Sequence, residues 1–359
     1  MAVLEVYLGT ASVDVKGAGS RSRGENDAMG AKEFDVVAIG NAIVDVIARA
    51  DDGFLAAQGI DKGVMTLIDE ARATALYAAM GPAIESSGGS AANTIAGLAN
   101  LGAATGYIGV VAEDDLGAIF RHDITALGVH FPTAPVAAGP ATARCLIVVT
   151  PDAQRSMNTF LGACADLSVA HLDPALLAAA KVVYLEGYLW DRPTAKAAFL
   201  EACRLTHAAG GKIALSLSDP FCVDRHRESF RALIADEVDI LFANTDELTA
   251  LHETDDLEAA ITATREWVDI AAVTRGPDGA VIVAGDTRAE IAAQPVPRVI
   301  DTTGAGDLFA AGFLRAYTQN LDLATCGRYG AIAAAEVISH FGARPESDLA
   351  ELVAAAPAA

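Results

Sequence analysis

The sequence predicts an α/β fold, with a central, mostly parallel sheet, helices on both of its faces and a small β-sheet lid. Three observations predict it. From Lys181 onward short apolar runs alternate with helical stretches, which implies a parallel sheet joined by right-handed crossovers. Alternating residues over 143–150 and 155–161, separated by Pro151-Asp152, read as a β-hairpin that interrupts this order. Late in the chain, Asp301-Thr302-Thr303-Gly304-Ala305-Gly306-Asp307 sets two glycines between a strand edge at 295–300 and a buried helix. Such a loop turns backbone N–H groups toward an anion at a helix N-terminus.

Taken in order, residues 1–33 show little apolar periodicity and lack the basic start and apolar core of a signal peptide, so a flexible extension is expected. Residues 34–40 form a short apolar run ending in glycine, a buried strand. Residues 41–47 then alternate polar and apolar, which sets Asn41 and Asp45 just past a central strand, where open α/β sheets bind ligands. A helix is expected over 69–80. Ser87-Gly88-Gly89-Ser90-Ala91-Ala92-Asn93-Thr94 opens a helix of small residues through Leu101, with Ser90 and Asn93 one turn apart on one face. Residues 104–111 read as a strand and 113–128 as a helix. Beyond the hairpin, strands fall at 182–185, 213–217, 240–243, 270–274 and 281–283, and helices at 193–208, 225–234, 245–252 and 257–266. An alanine-rich helix or helix pair covers 323–341. The domains follow: a large α/β domain of 34–43, 69–133 and 164–348, a lid of 44–68 and 134–163, and a tail of 349–359.

The chain of 359 residues is 52% hydrophobic and 20% charged, the balance of a compact globule. Its net charge of −22 argues against nucleic acid or an anionic membrane as partner, since both need a basic face. Five cysteines are scattered singly, neither a disulfide framework nor a zinc site, which points to a reducing, cytoplasmic setting. The uncharged stretch 86–112 carries Ser, Asn, Thr and many glycines, and is not read as a membrane span.

The common phosphate motifs are missing: neither G-x-x-x-x-G-K-[ST] nor G-x-G-x-x-G occurs in the expected place. What remains is the late glycine loop with Asp307, the early Asn41/Asp45 pair and the Gly-Gly-Ser-x-x-Asn helix start. Asn244-Thr245-Asp246-Glu247 at a strand end is a further element. It reads both as a capping box and as a carboxylate–amide pair able to hold the water shell of Mg²⁺ on a nucleotide.

Ser87-Gly88-Gly89-Ser90-Ala91-Ala92-Asn93, Asn244-x-x-Glu247 and Asp301-Thr302-Thr303-Gly304-Ala305-Gly306-Asp307, in that order, resemble the ribokinase-type (PfkB) family of carbohydrate and nucleoside kinases. The likeness runs from about Phe34 to Pro345, and within the family it leans to the adenosine kinases. Gly40-Asn41-Ala42-Ile43-Val44-Asp45, Arg155-Ser156-Met157 and Glu186-Gly187-Tyr188-Leu189 carry that leaning. Met65 stands where a polar lid residue is common, and Ala91-Ala92 are smaller than usual, so the resemblance leaves the exact nucleoside open.

The resemblance implies a ribokinase-like fold and ATP-dependent phosphorylation of a primary hydroxyl, the 5′-OH of adenosine, with Mg²⁺. Asp307 would be the general base, and the N–H groups of Gly304, Ala305 and Gly306 would form the anion hole. Arg155 on the lid would add a cation. The acceptor site would comprise Asn41, Asp45, Gly88, Gly89, Ser90, Asn93 and Met157, with Tyr188 and Phe221 against the base or, alternatively, as core aromatics. Asn244, Glu247, Thr274, Arg275 and Gly276 would flank the nucleotide, with Glu247 reaching Mg²⁺ through water. A monovalent cation, K⁺ in kind, would sit near Asp301 and Thr303 on backbone oxygens. A sugar kinase of ribose or fructose type and a non-catalytic nucleoside sensor are the competing readings, and the chain is expected to act as a monomer or homodimer.

Overall fold

A computed structural model of the protein describes residues 32–152 and 154–356. Of the extension expected over 1–33, all but Lys32 and Glu33 lies outside the described residues. The described strands, in chain order, are β1 (Phe34–Ile39), β2 (Ile43–Arg49), β3 (Met65–Leu67), β4 (Ala83–Gly88), β5 (Thr105–Ile108), β6 (Ala143–Val149) and β7 (Arg155–Phe160). They continue with β8 (Ala180–Glu186), β9 (Lys212–Ser216), β10 (Ile240–Asn244), β11 (Ile270–Thr274), β12 (Ala280–Ala284) and β13 (Thr287–Ile291).

Eight strands form one sheet in the order β13-β12-β11-β10-β9-β8-β1-β5, parallel from β5 to β11 and antiparallel at β12 and β13. The central strands read as unbroken apolar runs because both of their faces are covered. Val36, Ala38, Val182 and Tyr184 pack into one core cluster with the helices Ser90–Asn100, Ala305–Thr318 and Leu323–Val337. Val37, Ile39, Val183 and Leu185, one residue out of step, pack into a second cluster with Pro193–Ala208 and Pro220–Glu237. The two-residue period of a strand produces this division.

Five strands form the second sheet, β3-β7-β6-β2-β4. It pairs β2 with both β4 and β6, which joins 43–49 to the hairpin of β6 and β7. The expected large-domain assignment of 83–88 is therefore corrected. Ala-Ile-Glu-Ser-Ser-Gly has weak strand propensity, and its pairing comes from β2, about 40 residues earlier in the chain. Residues 295–300, expected as a strand edge, form none, because Pro295 and Pro297 cannot donate to a ladder. The backbone is tied instead by Ile300 N–H donating to Ile338 O at 2.8 Å. The expected tail begins with a helix, Leu349–Ala355, which buries Leu349 and Val353. Asp52–Gln58 is a further helix, and β13 a further strand, that sequence patterning did not show.

Part of the acidity is structural. Asp51, Asp69, Asp114, Asp219, Asp256 and Asp322 each accept a backbone N–H at a helix start, and each such cap stabilises its helix by roughly 1 kcal/mol. The cysteines among the described residues are free and buried. No helix of the described residues is long and apolar enough to cross a membrane.

Candidate active site

A cavity of about 950 Å³ opens along the carboxyl ends of β8 to β11, beneath the second sheet. Its floor is the glycine loop. Gly304 adopts φ 80°, and a Cβ there would lie 2.8 Å from that of Ala343, so this position requires glycine. The helix Ala305–Thr318 follows, and no side chain caps its start. The first N–H groups of a helix lack intrahelical partners. That of Ala305 is taken by Thr302 O at 3.2 Å. The Ala305 N–H is thus spent on closing the loop, which leaves Gly304 and Gly306 as the glycine donors of the expected anion hole.

Asp307 lies on the first turn of this helix. Its carboxylate accepts from Ser90 Oγ at 2.6 Å and from Asn93 Nδ2 at 3.0 Å, so the two residues one turn apart on the helix Ser90–Asn100 do converge on it. Burial raises its pKa, against those hydrogen bonds and the charge of Arg344. Asn93 Oδ1 is buried and without a partner.

Asp45, on β2, faces the same cavity, and burial pushes its pKa up to about 6, opposed by Arg155 and Arg344. Gly88 does not line the cavity. It makes room, since a Cβ on it would stand 2.4 Å from Asp45 Oδ2. Gly89 turns the chain into the helix at φ 98°, with Asn41 O where a Cβ would be.

Asn41 lines the cavity but is already engaged. Its backbone N–H and Nδ2 donate to Glu186 at 3.2 and 2.5 Å, and its Oδ1 accepts from Cys164 Sγ at 3.0 Å. Glu186, 1% exposed at the end of β8, also accepts from Ala91 N at 2.9 Å. It joins the end of β1 to the start of the helix Ser90–Asn100. Burial pushes its pKa up to about 7, against those three hydrogen bonds. Sequence reasoning missed it as a site residue, although a lone glutamate closing a buried apolar strand was a signal that could have found it. Arg344 was missed too, and no local motif marks it.

On the far side, Asn244 and Glu247 form the capping box in full: Asn244 N and Nδ2 donate to Glu247 at 2.9 and 2.8 Å, and Glu247 N donates to Asn244 Oδ1 at 2.8 Å. Both line the cavity, as do Thr274, Arg275 and Gly276 at the end of β11. Burial raises the Glu247 pKa to about 7. Arg275 is held by Glu290 at 2.7 Å.

Arg155, on β7, reaches across to the glycine loop and pairs with Asp301. Asp301 also accepts from Gly342 N at 3.0 Å, Thr303 N at 3.0 Å and Thr303 Oγ1 at 2.7 Å. The Asp301 carboxylate is thereby saturated, with a guanidinium as its counter-ion. A monovalent cation near Asp301 and Thr303 would have backbone oxygens left to it. Tyr188 and Phe221 line the cavity at its rim, 37% and 76% exposed, and are not core aromatics. Met157, Met65 and Leu67 extend the apolar wall from the lid.

The sequence profile of the pfkB family carbohydrate kinases matches residues 83–349. Among solved structures, a probable sugar kinase protein from Rhizobium etli CFN 42 is similar, with a TM-score of 0.83, 51% identity and coverage of 89% of this chain and 97% of that one. The adenosine kinase from Sinorhizobium meliloti has a TM-score of 0.82, 51% identity and coverage of 89% and 98%. Adenosine kinase 1 of Arabidopsis thaliana is 28% identical over 342 residues, 88% of this chain and 97% of its own.

Proposed function

The chain belongs to the pfkB family of carbohydrate kinases, and from that premise we propose that it transfers the γ-phosphoryl group of ATP to the 5′-hydroxyl of adenosine. The family sets the coarse chemistry, a phosphotransferase with an alcohol acceptor that uses ATP and Mg²⁺. The observation that carries the finer reading is that one cavity brings the Asp45 and Asp307 carboxylates together with the exposed aromatics Tyr188 and Phe221. A free carboxylate suits a pair of vicinal hydroxyls, and aromatic faces suit a purine. A bare monosaccharide would need neither Tyr188 nor Phe221. The similarity to the Sinorhizobium meliloti adenosine kinase supports the same choice.

In this mechanism Asp45 binds the ribose hydroxyls, and Asn93 Oδ1, which has no protein donor, accepts from the substrate. Asn41 acts by shaping the wall, since Glu186 and Cys164 hold its side chain. Asp307 takes the 5′-hydroxyl proton as the oxygen attacks phosphorus, and Ser90 and Asn93 keep its carboxylate aimed. The N–H groups of Gly304 and Gly306 and the positive helix end stabilise charge on the transferring phosphoryl. Arg155, set by Asp301, adds a cation from the lid and helps exclude water. Among the described residues no cluster of three His, Cys, Asp or Glu could hold a metal alone. Glu247, with carboxylate lone pairs to spare, fits an Mg²⁺ ion that arrives on the triphosphate with its own waters. Held there, the ion would supply charge neutralisation to the phosphates.

The test is ADP release from ATP with adenosine, inosine, guanosine, ribose and fructose as acceptors. Adenosine is expected to give the highest kcat/KM. Ribose or fructose exceeding every nucleoside would overturn the acceptor assignment in favour of a sugar kinase. Adenosine binding without ADP formation would point to a nucleoside sensor.

A further inference from the structure

We propose that Arg344 is a positioning residue of this site, clamping the turn before the helix Ser90–Asn100 and holding a fixed positive charge beside both Asp45 and Asp307. The inference rests on the kinase reading above and assigns that site a part from outside its motifs.

The geometry is a planar fork spanning two substructures. Arg344 Nε and Nη2 donate to Ser87 O at 3.2 and 2.9 Å, and Nη2 also reaches Ser87 Oγ at 3.1 Å. Its Nη1 donates to Ala92 O at 2.6 Å. Ser87 belongs to β4 of the second sheet and precedes Gly88, the residue directly beneath the Asp45 carboxylate. Ala92 lies on the helical turn whose Ser90 and Asn93 hold Asp307. One guanidinium therefore fixes the spacing between the acceptor-binding carboxylate and the base. Lysine could match the charge but not this fork.

The neighbouring residues extend the role. Gly342 N–H donates to Asp301, and Ala343 packs against Gly304. Three consecutive residues thus brace the counter-ion of the lid, the anion loop and the acceptor turn.

The charge has its own consequence. Asp45, Asp307, Asp123 and the Tyr107 hydroxyl face Arg344. Asp45 and Asp307 also face each other, Asp45 faces Arg155 and Cys145, and Asp307 faces Ser90, Asn93, Glu186, Glu247, Tyr184 and Tyr188. Arg344 is accordingly the cation shared by the two carboxylates. Burial lowers its pKa to about 10, so it stays protonated at neutral pH. Its removal leaves two buried carboxylates with a higher proton affinity, and a base must be ionised to act.

The experiment compares the full chain with Arg344→Met and Arg344→Lys. In Arg344→Met the acid limb of kcat/KM for adenosine is expected to move up by about half a pH unit or more. In Arg344→Lys the limb is expected to stay while KM rises roughly three-fold or more, because the fork is lost and the charge kept. An unmoved limb in Arg344→Met overturns the electrostatic part, and an unchanged KM in Arg344→Lys overturns the clamp. A readout free of turnover is the ¹³C carboxyl titration of Asp45 and Asp307, assigned with Asp45→Asn and Asp307→Asn. An upward shift in Arg344→Met supports the proposal, and no shift refutes it, even if the parent phosphorylates none of the acceptors and the kinase reading itself fails.

Discussion

Replacing Asp307 with asparagine removes the proposed base while changing little else. The side chain keeps its volume, and its amide oxygen can accept from Ser90 or Asn93, which now bond the carboxylate at 2.6 and 3.0 Å. The Ser90 hydroxyl can turn to accept from the new amide, so geometry is largely retained. Folding should not suffer, because burial already disfavours the ionised carboxylate, as its raised pKa shows. The melting temperature is expected to stay level or rise. The loss falls on proton transfer, which contributes a factor of about 10² to 10⁴, or about 3 to 5 kcal/mol at 1.36 kcal/mol per decade. Because a base acts only in the transition state, kcat should fall while KM for adenosine holds. The assay is coupled ADP release at saturating ATP, with melting and adenosine binding followed on the same preparation. A kcat within about tenfold of the parent would refute the reasoning, since that lies below the range for losing a general base.

Two further outcomes follow from the same geometry. Gly88→Ala would drive a Cβ to within 2.4 Å of Asp45 Oδ2 and 2.6 Å of its Cγ, so the carboxylate must turn away. KM for adenosine should rise about tenfold or more with the melting point lowered by only a few degrees, and an unchanged KM would remove Asp45 from the acceptor site. Glu186 has a pKa raised to about 7 from 4.5. Between those values the folded state holds a proton that the unfolded state has released. Its contribution to stability therefore grows as pH falls from 7 to 4.5, by about 1.4 kcal/mol for each pH unit crossed, and is lost as pH rises through 7. The difference in melting temperature between parent and Glu186→Gln should move in the parent's favour as pH is lowered from 8 to 5, and the opposite slope would contradict the assignment.

The sequence by itself determined what depends on neighbours along the chain. The apolar runs of β1, β8, β9, β10 and β11, the Asn244–Glu247 capping box and the Gly304 turn are local patterns, each written within a few residues and each present. Asp307 could be picked out because a carboxylate closing a glycine loop at a helix start is itself a local arrangement. Tertiary structure alone decided the rest. β4 joins the lid because β2 offers it a partner, not because Glu85, Ser86 and Ser87 favour a strand. Arg155 meets Asp301 across 146 residues, and Arg344 reaches Ser87 across 257. Glu186 binds Ala91 across 95. Sequence periodicity reports which face of an element is buried. Which polar group waits on the opposite face depends on how distant elements pack, and buried ionisable groups such as Glu186 acquire their partners only when the core closes around them.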